Sequence, residues 1–278
     1  MRPEKEVLDG DRPAADVFIQ VRMGSNRLPG KALLELGDRS CLAHVISRAQ
    51  HAREIRDVVV CTSTSSEDAV LLREAEAWDA GSFAGELDNC LKRFFDCAQR
   101  NGSEIVVRVC GDSPLMPPPF IDAAVRHLRE TGAGYARVVS VPVGTSVEAF
   151  TVCALERALV AAVDPSLSDD LTYFIGRPEI NELAPFEPSD PTVRRQDVVL
   201  ALNMPEDQVL MQTVFSECSP AGPYLTLEET ISFLDDHPDV RDANQPYLQK
   251  ATRCDTRLDL DRLANVTLRS CSESGGRS

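Results

Sequence analysis

The chain has 278 residues, of which 43% are hydrophobic and 26% are charged, and its formal net charge is -15 at pH 7. These proportions are typical of a folded globular protein, and the length favours one large domain with additions. The acidic balance excludes a broad basic face of the kind that binds nucleic acid or anionic membranes. A free nucleotide is compatible with it, because such a ligand needs only a local cationic pocket.

Both ends of the chain are polar. We expect a flexible tail at residues 1–15, a folded domain at 16–248 and an extension at 249–278 whose end is disordered. The N-terminal sequence lacks the apolar core of a signal peptide, and no segment reaches about 18 uninterrupted apolar residues. The nine cysteines are an odd number without a C-x-x-C pair, which favours reduced thiols. These features predict a cytoplasmic protein with no membrane partner.

Five short runs rich in β-branched residues predict strands at residues 17–21, 57–61, 104–109, 137–141 and 198–202. Apolar residues at helical spacing predict helices at residues 41–52, 67–78, 87–100, 119–131 and 152–162. The alternation predicts an α/β fold with a Rossmann-like, mostly parallel sheet and helices on both faces. Ligands of such sheets bind beyond the carboxyl ends of the strands, so the loops there are the expected site.

The segment RMGSNRLPGK follows the first predicted strand directly. It contains three cations, Arg22, Arg27 and Lys31, and no acid, although acids outnumber bases 44 to 29 in the chain. Gly24 lets the backbone approach a ligand, and backbone amides together with cationic side chains form an anion cradle. It is not a Walker loop, which has Ser or Thr after its lysine where this chain has Ala32. The pattern predicts a triphosphate site, and a solvated basic turn is the alternative.

Other polar residues follow later predicted strands. Asp112, in VVRVCGDSPLM, is expected on the same rim as the cationic segment, where a carboxylate can hold Mg²⁺ against phosphate oxygens. The alternative is an Asp that caps the proline-rich turn after it. Thr62 and Ser63 could bind a base or ribose, or cap the next helix, and the two interpretations are equally supported. No Ser-His-Asp or Cys-His arrangement can be argued from the sequence, so covalent catalysis has no support.

Taken in order, these segments resemble the SpsF-like cytidylyltransferases, which are named for spore-coat polysaccharide biosynthesis proteins and are akin to the CMP-sugar synthetases of acidic nine-carbon sugars. The resemblance extends over residues 16–244 and is carried by QVRMGSNRLPGK, VVVCTSTSSEDAVL, FAGELDNCLKRFFDCA, VVRVCGDSPLM, VEAFTVCALERA, NMPEDQVL and TLEETISFLDDHPDVRDAN. It implies a fold of the nucleotide-diphospho-sugar transferase type, with residues 16–248 as a cytidylyltransferase-like domain. It also implies transfer of a cytidylyl group from CTP to a small anionic or sugar-like acceptor, release of pyrophosphate, and a homodimer.

The resemblance also implies roles for individual residues. Arg27 and Lys31 are the expected catalytic cations, and Asp112 and Asn203 are expected to hold Mg²⁺, the implied cofactor. Ser146 and Glu148 are expected on the acceptor side. The residues expected to bind the nucleotide are Gln20, Arg22, Met23, Gly24, Ser25, Thr62, Ser63, Arg93, Arg108 and Gly111.

Three departures from the family pattern concern the metal and the acceptor. Asn203 and Ser146 stand where the family usually has Asp, and the usual E-H-V-T segment reads DDLT at residues 169–172. We therefore hypothesise that the acceptor is not the usual nonulosonic acid and can carry its own phosphate or phosphonate. Two alternatives stay open: a GT-A-like glycosyltransferase, which would normally show an Asp-x-Asp motif, and a degenerate nucleotide-binding protein without catalysis.

Overall fold

The structure, a computed structural model, describes residues 14–25, 27–164 and 171–244. The strands in the described part are β1 Ala15–Gln20, β2 Glu35–Leu36, β3 Arg39–Ser40, β4 Val58–Ser63, β5 Gly81–Gly85, β6 Ile105–Cys110, β7 Tyr135–Val138, β8 Glu148–Thr151 and β9 Leu183–Phe186. Seven of them form one sheet in the order β5-β4-β1-β6-β8-β7-β9, and β2 and β3 form a small hairpin.

The α-helices of the described residues are α1 Cys41–Ala49, α2 Ala69–Ala77, α3 Cys90–Asn101, α4 Pro118–Thr131, α5 Val152–Ala161, α6 Thr172–Ile175, α7 Pro205–Glu217, α8 Leu227–Asp236 and α9 Pro238–Arg241. Side-chain caps explain where several begin. Ser40, Asn89 and Thr226 each accept a hydrogen bond from a first-turn backbone amide, which satisfies a donor that the helix itself cannot pair. None of these helices is long and apolar enough to cross a membrane.

The sheet is mostly parallel, as predicted. β1 pairs in parallel with both β4 and β6, and β4 pairs in parallel with β5. β8 is antiparallel to β6 and β7, whereas β9 is parallel to β7. The carboxyl ends of β1, β4 and β6 therefore lie side by side at one edge, where ligands of such sheets bind.

Helices cover both faces of the sheet, which confirms the predicted architecture. In β1, Val17 and Ile19 belong to one buried apolar cluster and Phe18 to the other, because successive strand residues point to opposite faces. The first cluster includes residues of α1, α4 and α7, and the second those of α3 and α5. Cys90 and Cys97 share the buried face of α3. Complete burial of a side chain such as Phe94 contributes roughly 1.5–3 kcal/mol.

The predicted strand at residues 198–202 is wrong. Within it, Val199 forms a single bridge with Val143, and the segment makes no ladder. Its amides bond to loops: Leu200 donates to the Val143 carbonyl at 2.7 Å, and Leu202 to the Asp112 carbonyl at 2.8 Å. The run is apolar because it is buried, since Val198, Leu200 and Leu202 are at most 1% exposed. Burial rather than strand pairing explains the sequence pattern.

The boundaries also differ at several places. β1 begins at Ala15, which the sequence analysis assigned to the tail, because Ala15 is in register with Ile105 of β6. The strand expected at residues 137–141 is β7, which ends at Val138, and Ser140 beyond it has a left-handed φ of 63° that breaks extended pairing. Residues 1–13 and 245–278 lie outside the described residues, and with them most of the expected tail and all of the C-terminal extension.

Candidate active site

A cleft of about 550 Å³ opens at the carboxyl ends of β1 and β6. It is bounded by the segment after β1 and by the turn after β6, so it lies where the sheet topology places a ligand. The residues that line it are Gln20, Val21, Arg22, Gly24, Ser25, Arg27, Lys31, Ala32, Arg108, Cys110, Gly111 and Asp112. The cleft thus brings together most of the residues that the sequence analysis expected for triphosphate binding and catalysis.

Close packing between the two loops depends on Gly111. A Cβ atom at this position would lie 2.6 Å from the Val21 Cβ, a distance that side chains do not tolerate. The Gly111 amide donates to the Gln20 carbonyl at 2.9 Å, which joins the two strand ends. Because position 111 has no side chain, the turn that carries Asp112 can approach the cationic loop.

Lys31 is the centre of a small polar cluster in the cleft. Its Nζ lies 2.5 Å from Asp112 Oδ2 and donates to Asn203 Oδ1 at 2.9 Å. Arg27 Nη2 also donates to Asn203 Oδ1, at 3.3 Å. The Lys31 and Asp112 side chains are only 16% and 21% exposed, so solvent screens their attraction weakly. The fold therefore brings Arg27 and Lys31 together with Asp112 and with Asn203, which is more than 170 residues away in the sequence.

Asn203 is held in place by a buried carboxylate that the sequence analysis missed. Asp207 is 2% exposed and accepts from the amides of Asn203 at 2.9 Å and Met204 at 2.8 Å. Its other oxygen accepts from Asn244 Nδ2 at 2.9 Å. An acid in the first turn of a helix commonly binds the free amides there, so Asp207 could have been found as a helix-start residue.

A second polar cluster extends across the sheet from the cleft. Arg108 donates through Nε to Gln20 Oε1 at 2.7 Å and through Nη1 to Glu148 Oε2 at 2.8 Å. The Tyr135 hydroxyl donates to Glu148 Oε1 at 3.0 Å, and Arg137 Nε lies 3.8 Å from the same oxygen. The strand register causes this convergence, because both Arg108 and Arg137 are cross-strand partners of Glu148.

The electrostatics of this cluster follow from its burial. Burial raises the pKa of Glu148, but the charges of Arg108 and Arg137 and a hydrogen bond from Thr172 outweigh it, so the pKa falls to about 2. Burial, and next the charge of Glu148, raise the pKa of Tyr135 well above its usual value. Glu148 is therefore an anion at neutral pH, and Tyr135 remains a neutral donor.

The sequence of the segments that form the sheet matches a known family. Residues 17–190 match the family described as cytidylyltransferase, and this match spans the chain from β1 to β9. The chain belongs to the cytidylyltransferase family. It is therefore a nucleotidyltransferase.

The chain is also similar to individual proteins. The chain is 28% identical to an uncharacterized protein of Methanocaldococcus jannaschii, over 85% of this chain and 96% of the relative. It is 24% identical to the spore coat polysaccharide biosynthesis protein SpsF of Bacillus subtilis, over 80% and 95%. A 3-deoxy-manno-octulosonate cytidylyltransferase of Anaeromyxobacter dehalogenans is 31% identical over 58% of this chain and 63% of its own length. A solved cytidylyltransferase of Leptospira borgpetersenii shares the fold, with a TM-score of 0.75 at 22% identity, covering 83% of this chain and 97% of that one.

Two of the expected acceptor-side residues lie beside Arg137 in this cytidylyltransferase. Glu148 is buried, and Ser146 accepts from Arg137 Nε at 3.4 Å while it donates to the Val138 carbonyl at 2.6 Å. Thr172, in the segment that departs from the family pattern, donates to Glu148 Oε1 at 2.5 Å. The two acids before it, at positions 169 and 170, lie outside the described residues.

Several expected nucleotide-binding residues do not line the cleft of this cytidylyltransferase. Ser63 donates to Asp68 Oδ2 at 2.5 Å, and the other Asp68 oxygen accepts from the Met23 amide at 2.7 Å. Asp68 thus links the loops after β1 and β4, and it does so by accepting hydrogen bonds from the Ser63 hydroxyl and the Met23 amide. Thr62 is fully buried, and its hydroxyl has no hydrogen-bond partner among the described residues.

Arg93 is also buried, beneath the end of β5. It is 0% exposed and donates through Nη1 to the Glu86 carbonyl at 3.0 Å, while its Nη2 lies 3.0 Å from Cys90 Sγ. A Cβ atom on Gly85 would lie 2.8 Å from the Arg93 Cγ, so the strand end packs directly on this side chain. Arg93 therefore supports the loop after β5 from below.

The oxygen donors in the cleft fit one Mg²⁺ ion that shares its coordination with a nucleotide. Asp112 Oδ2 and Asn203 Oδ1 both lie within 3 Å of Lys31 Nζ and so converge on one point. Mg²⁺ commonly takes one or two carboxylates and completes its shell with phosphate oxygens and water. In the described part of the chain, no group of three or more His, Cys, Asp or Glu residues could hold a metal by itself.

Proposed function

We propose that this cytidylyltransferase transfers the cytidylyl group of CTP to a small anionic acceptor and releases pyrophosphate. An acceptor oxygen forms a bond to the α-phosphorus, and the bond from that phosphorus to the pyrophosphate oxygen breaks. The observation that carries the proposal is the cleft itself, in which Arg22, Arg27 and Lys31 face Asp112 at the carboxyl edge of the sheet. Cations placed before the reaction starts stabilise the charge that develops on the leaving pyrophosphate.

Lys31 and Arg27 would supply most of this stabilisation. A phosphate oxygen and Asp112 compete for the same Lys31 ammonium, so a bound triphosphate draws Lys31 away from the 2.5 Å contact with Asp112. The freed Asp112 carboxylate would then hold Mg²⁺, together with the Asn203 amide oxygen. When bound, the ion neutralises phosphate charge and orients the triphosphate. The remaining catalysis is positioning of the two reactants, without a covalent intermediate.

The second polar cluster supports the proposal of an anionic acceptor. The side chain of Arg137 is 45% exposed, whereas its neighbour Glu148 is 7% exposed and already bonded to Arg108 and Tyr135. Position 146 holds a neutral serine beside this arginine, so an anionic acceptor meets no carboxylate repulsion from that residue. The proposed acceptor class is an acidic sugar, a phosphate or a phosphonate. The octulosonate named in one relative is an acidic sugar, which supports this class.

The experiment is an assay of pyrophosphate release. The purified chain is incubated with Mg²⁺, each of the four NTPs and a panel of acidic sugars, sugar phosphates and phosphonates. We expect release that depends on both CTP and an acceptor, and that is lost in an Arg27→Ala variant. Consumption of a sugar nucleotide without pyrophosphate release would support a glycosyltransferase instead. Tight CTP binding without any turnover across the panel would support the degenerate nucleotide-binding alternative.

A further inference from the structure

A second cleft, of about 260 Å³, lies between α1 and the loop that joins α7 to α8. It shares no lining residue with the cleft at the ends of β1 and β6. Its polar side is formed by Arg39, Ser47 and Arg48, and its apolar side by Phe215, Pro223 and Tyr224. The proposed transfer reaction uses none of these residues.

Arg48 is the unusual residue of this second cleft. It is 3% exposed, and it makes no ion pair with any described residue. Nη2 donates to the Leu225 carbonyl at 2.6 Å, but the other terminal nitrogen, Nη1, has no hydrogen-bond partner in the described part of the chain. Burial lowers the pKa of Arg48 to about 10, so the side chain is still a cation at neutral pH. A buried cation without a counter-charge is costly unless a partner neutralises it.

No lining side chain supplies that counter-charge. Outside the lining, the charge of Glu229 acts on Arg48 without forming an ion pair, and the Glu229 carboxylate already accepts from the Ala221 and Thr226 amides. Asp38, the acid of the cleft, is bonded through both oxygens to Arg39, at 3.0 and 2.8 Å. The Tyr224 ring lies 5.4 Å from the Arg48 Cζ and stabilises it only as a cation–π partner. Burial lowers the pKa of His44 to about 4, so this lining residue is neutral. The lining therefore carries one unbalanced positive charge.

We propose that the second cleft binds a small oxyanion, a phosphate or carboxylate group carried on a flat or apolar body, through Arg48. An oxyanion that reaches the enclosed Nη1 would accept a charge-assisted hydrogen bond from it, while Nη2 keeps its bond to the Leu225 carbonyl. The flat or apolar body is inferred from the walls, where the Phe215 ring is stacked on His44 at 4.0 Å and Tyr224 faces the cleft. None of the residues that line the second cleft lines the first cleft, so the site is independent of the proposed CTP reaction.

The single tryptophan of the chain provides a direct signal for this cleft. Trp78 lies 5.1 Å from the Cζ of Arg39, which lines the cleft. Phenyl phosphate, benzoate and inorganic phosphate are titrated separately into the full chain while Trp78 fluorescence is followed. Phenyl phosphate and benzoate show whether the cleft prefers a phosphate or a carboxylate group. Inorganic phosphate, which has no ring, shows whether the ring contributes to the affinity. We expect saturable binding of at least one organic probe, at least tenfold weaker in Arg48→Met. Binding should also be weaker in Arg48→Lys, which keeps the charge but lacks the second terminal nitrogen that holds the side chain on the Leu225 carbonyl.

Matched variants separate this cleft from the first one. Arg27→Ala removes a cation from the first cleft and should leave probe binding unchanged. Arg48→Met should fold, because an apolar chain in place of a buried, unpaired cation is neutral or stabilising, and urea unfolding checks this. If it does not fold, Arg39→Gln, at a side chain that is 28% exposed, should weaken binding measured by calorimetry. The proposal would be overturned if no probe bound saturably below about 20 mM. It would also be overturned if the Arg48 variants bound the probes as tightly as wild type, or if Arg27→Ala lost binding.

Discussion

At the scale of single residues, the Lys31 ammonium has two competing partners in the proposed reaction, Asp112 and the triphosphate. We expect Lys31→Ala to lower the turnover for CTP-dependent pyrophosphate release by about 100-fold to 1000-fold, the loss typical of removing one preorganised donor to developing negative charge. The matched control is Lys92→Ala, since Lys92 is 41% exposed and pairs with Asp96 on α3. A turnover close to wild type in Lys31→Ala would contradict the role given to this residue.

Asn203 determines how much negative charge the cleft offers to a metal. Its Oδ1 lies 2.9 Å from Lys31 Nζ, in a loop held by Asp207, so a carboxylate fits there without a change of shape. We expect Asn203→Asp to lower the Mg²⁺ concentration needed for half-maximal pyrophosphate release on the order of tenfold, because ligand charge strengthens the binding of hard cations. Asn101→Asp adds the same charge at the far end of α3 and serves as the control. An unchanged Mg²⁺ requirement in Asn203→Asp would exclude residue 203 as a ligand.

Glu148 makes a pH-dependent contribution to stability. Its pKa in the fold is about 2, below the ordinary 4.5, so its contribution is fully present above pH 4.5 and is lost as the pH falls toward 2. Glu148→Gln should therefore be less stable than wild type by about 3–5 kcal/mol at pH 7, and this difference should shrink between pH 4.5 and 2. Urea unfolding at several pH values measures it. In Glu187→Gln, at an exposed ion pair, we expect a difference of about 0–1 kcal/mol, and a constant deficit in Glu148→Gln would refute the assignment.

The sequence predicted those site residues whose positions follow from local order along the chain. Arg22, Lys31 and Asp112 lie in the segments that follow two adjacent parallel strands, so the sheet topology brings these segments to one edge. Tyr135 could not be found in this way, because its contact with Glu148 exists only through strand pairing. Asp207 carries the local signal of a helix start, but its contact with Asn244 depends on the tertiary fold. The sequence analysis placed Thr62 just after a strand and Arg93 within a helix, and the structure has them near the end of β4 and within α3. Their burial depends on how α3 packs, which local sequence does not encode.

At the scale of elements, three of the predicted strands, β1, β4 and β6, lie side by side within the sheet, whereas β8, also inside it, was missed. β1, β4 and β6 are buried on both faces and are rich in β-branched residues, which is the strongest sequence signal for a strand. β5, with the sequence GSFAG, and β9, with LAPF, contain glycine or proline and lie at the two edges of the sheet. Residues of this kind weaken strand propensity, and only tertiary pairing makes these segments strands.

The packing of the loop after β1 against the loop after β6 gives an element-scale prediction. A Cβ at position 111 would lie 2.6 Å from Val21 Cβ, so Gly111→Ala must push the loop of Asp112 away from Lys31. We expect turnover to fall on the order of 100-fold, as misplacement of about 1 Å can cause, with little change in the far-UV circular dichroism spectrum. Gly222→Ala is the matched control, because a Cβ atom at position 222 would meet no other described atom within 4 Å. Full activity of Gly111→Ala would show that the contact is not needed.

At the scale of the whole molecule, the first cleft is positively charged although the chain as a whole is acidic. The chain carries a formal charge of -15, yet four cations and one carboxylate line the first cleft. These residues come from segments that begin at β1 and extend to β6, and Asn203 adds a contact from the loop before α7. A ligand that binds there contacts segments that are far apart in the sequence. Binding should therefore stabilise the domain as a unit, because a ligand that binds only the folded state adds to its stability.

This coupling between cleft and fold can be measured by thermal unfolding. With CTP and Mg²⁺ at about 100 times the dissociation constant, the added stability is about 2.7 kcal/mol, which raises Tm by about 5–10 °C for a domain of this size. The double variant Arg22→Ala with Arg27→Ala should lose most of this shift, because both side chains line the cleft. Arg73→Ala, which removes an exposed arginine of α2, should keep the shift. Equal shifts with ATP and UTP would contradict a preference for cytosine, and no shift with any triphosphate would refute the cleft as the nucleotide site.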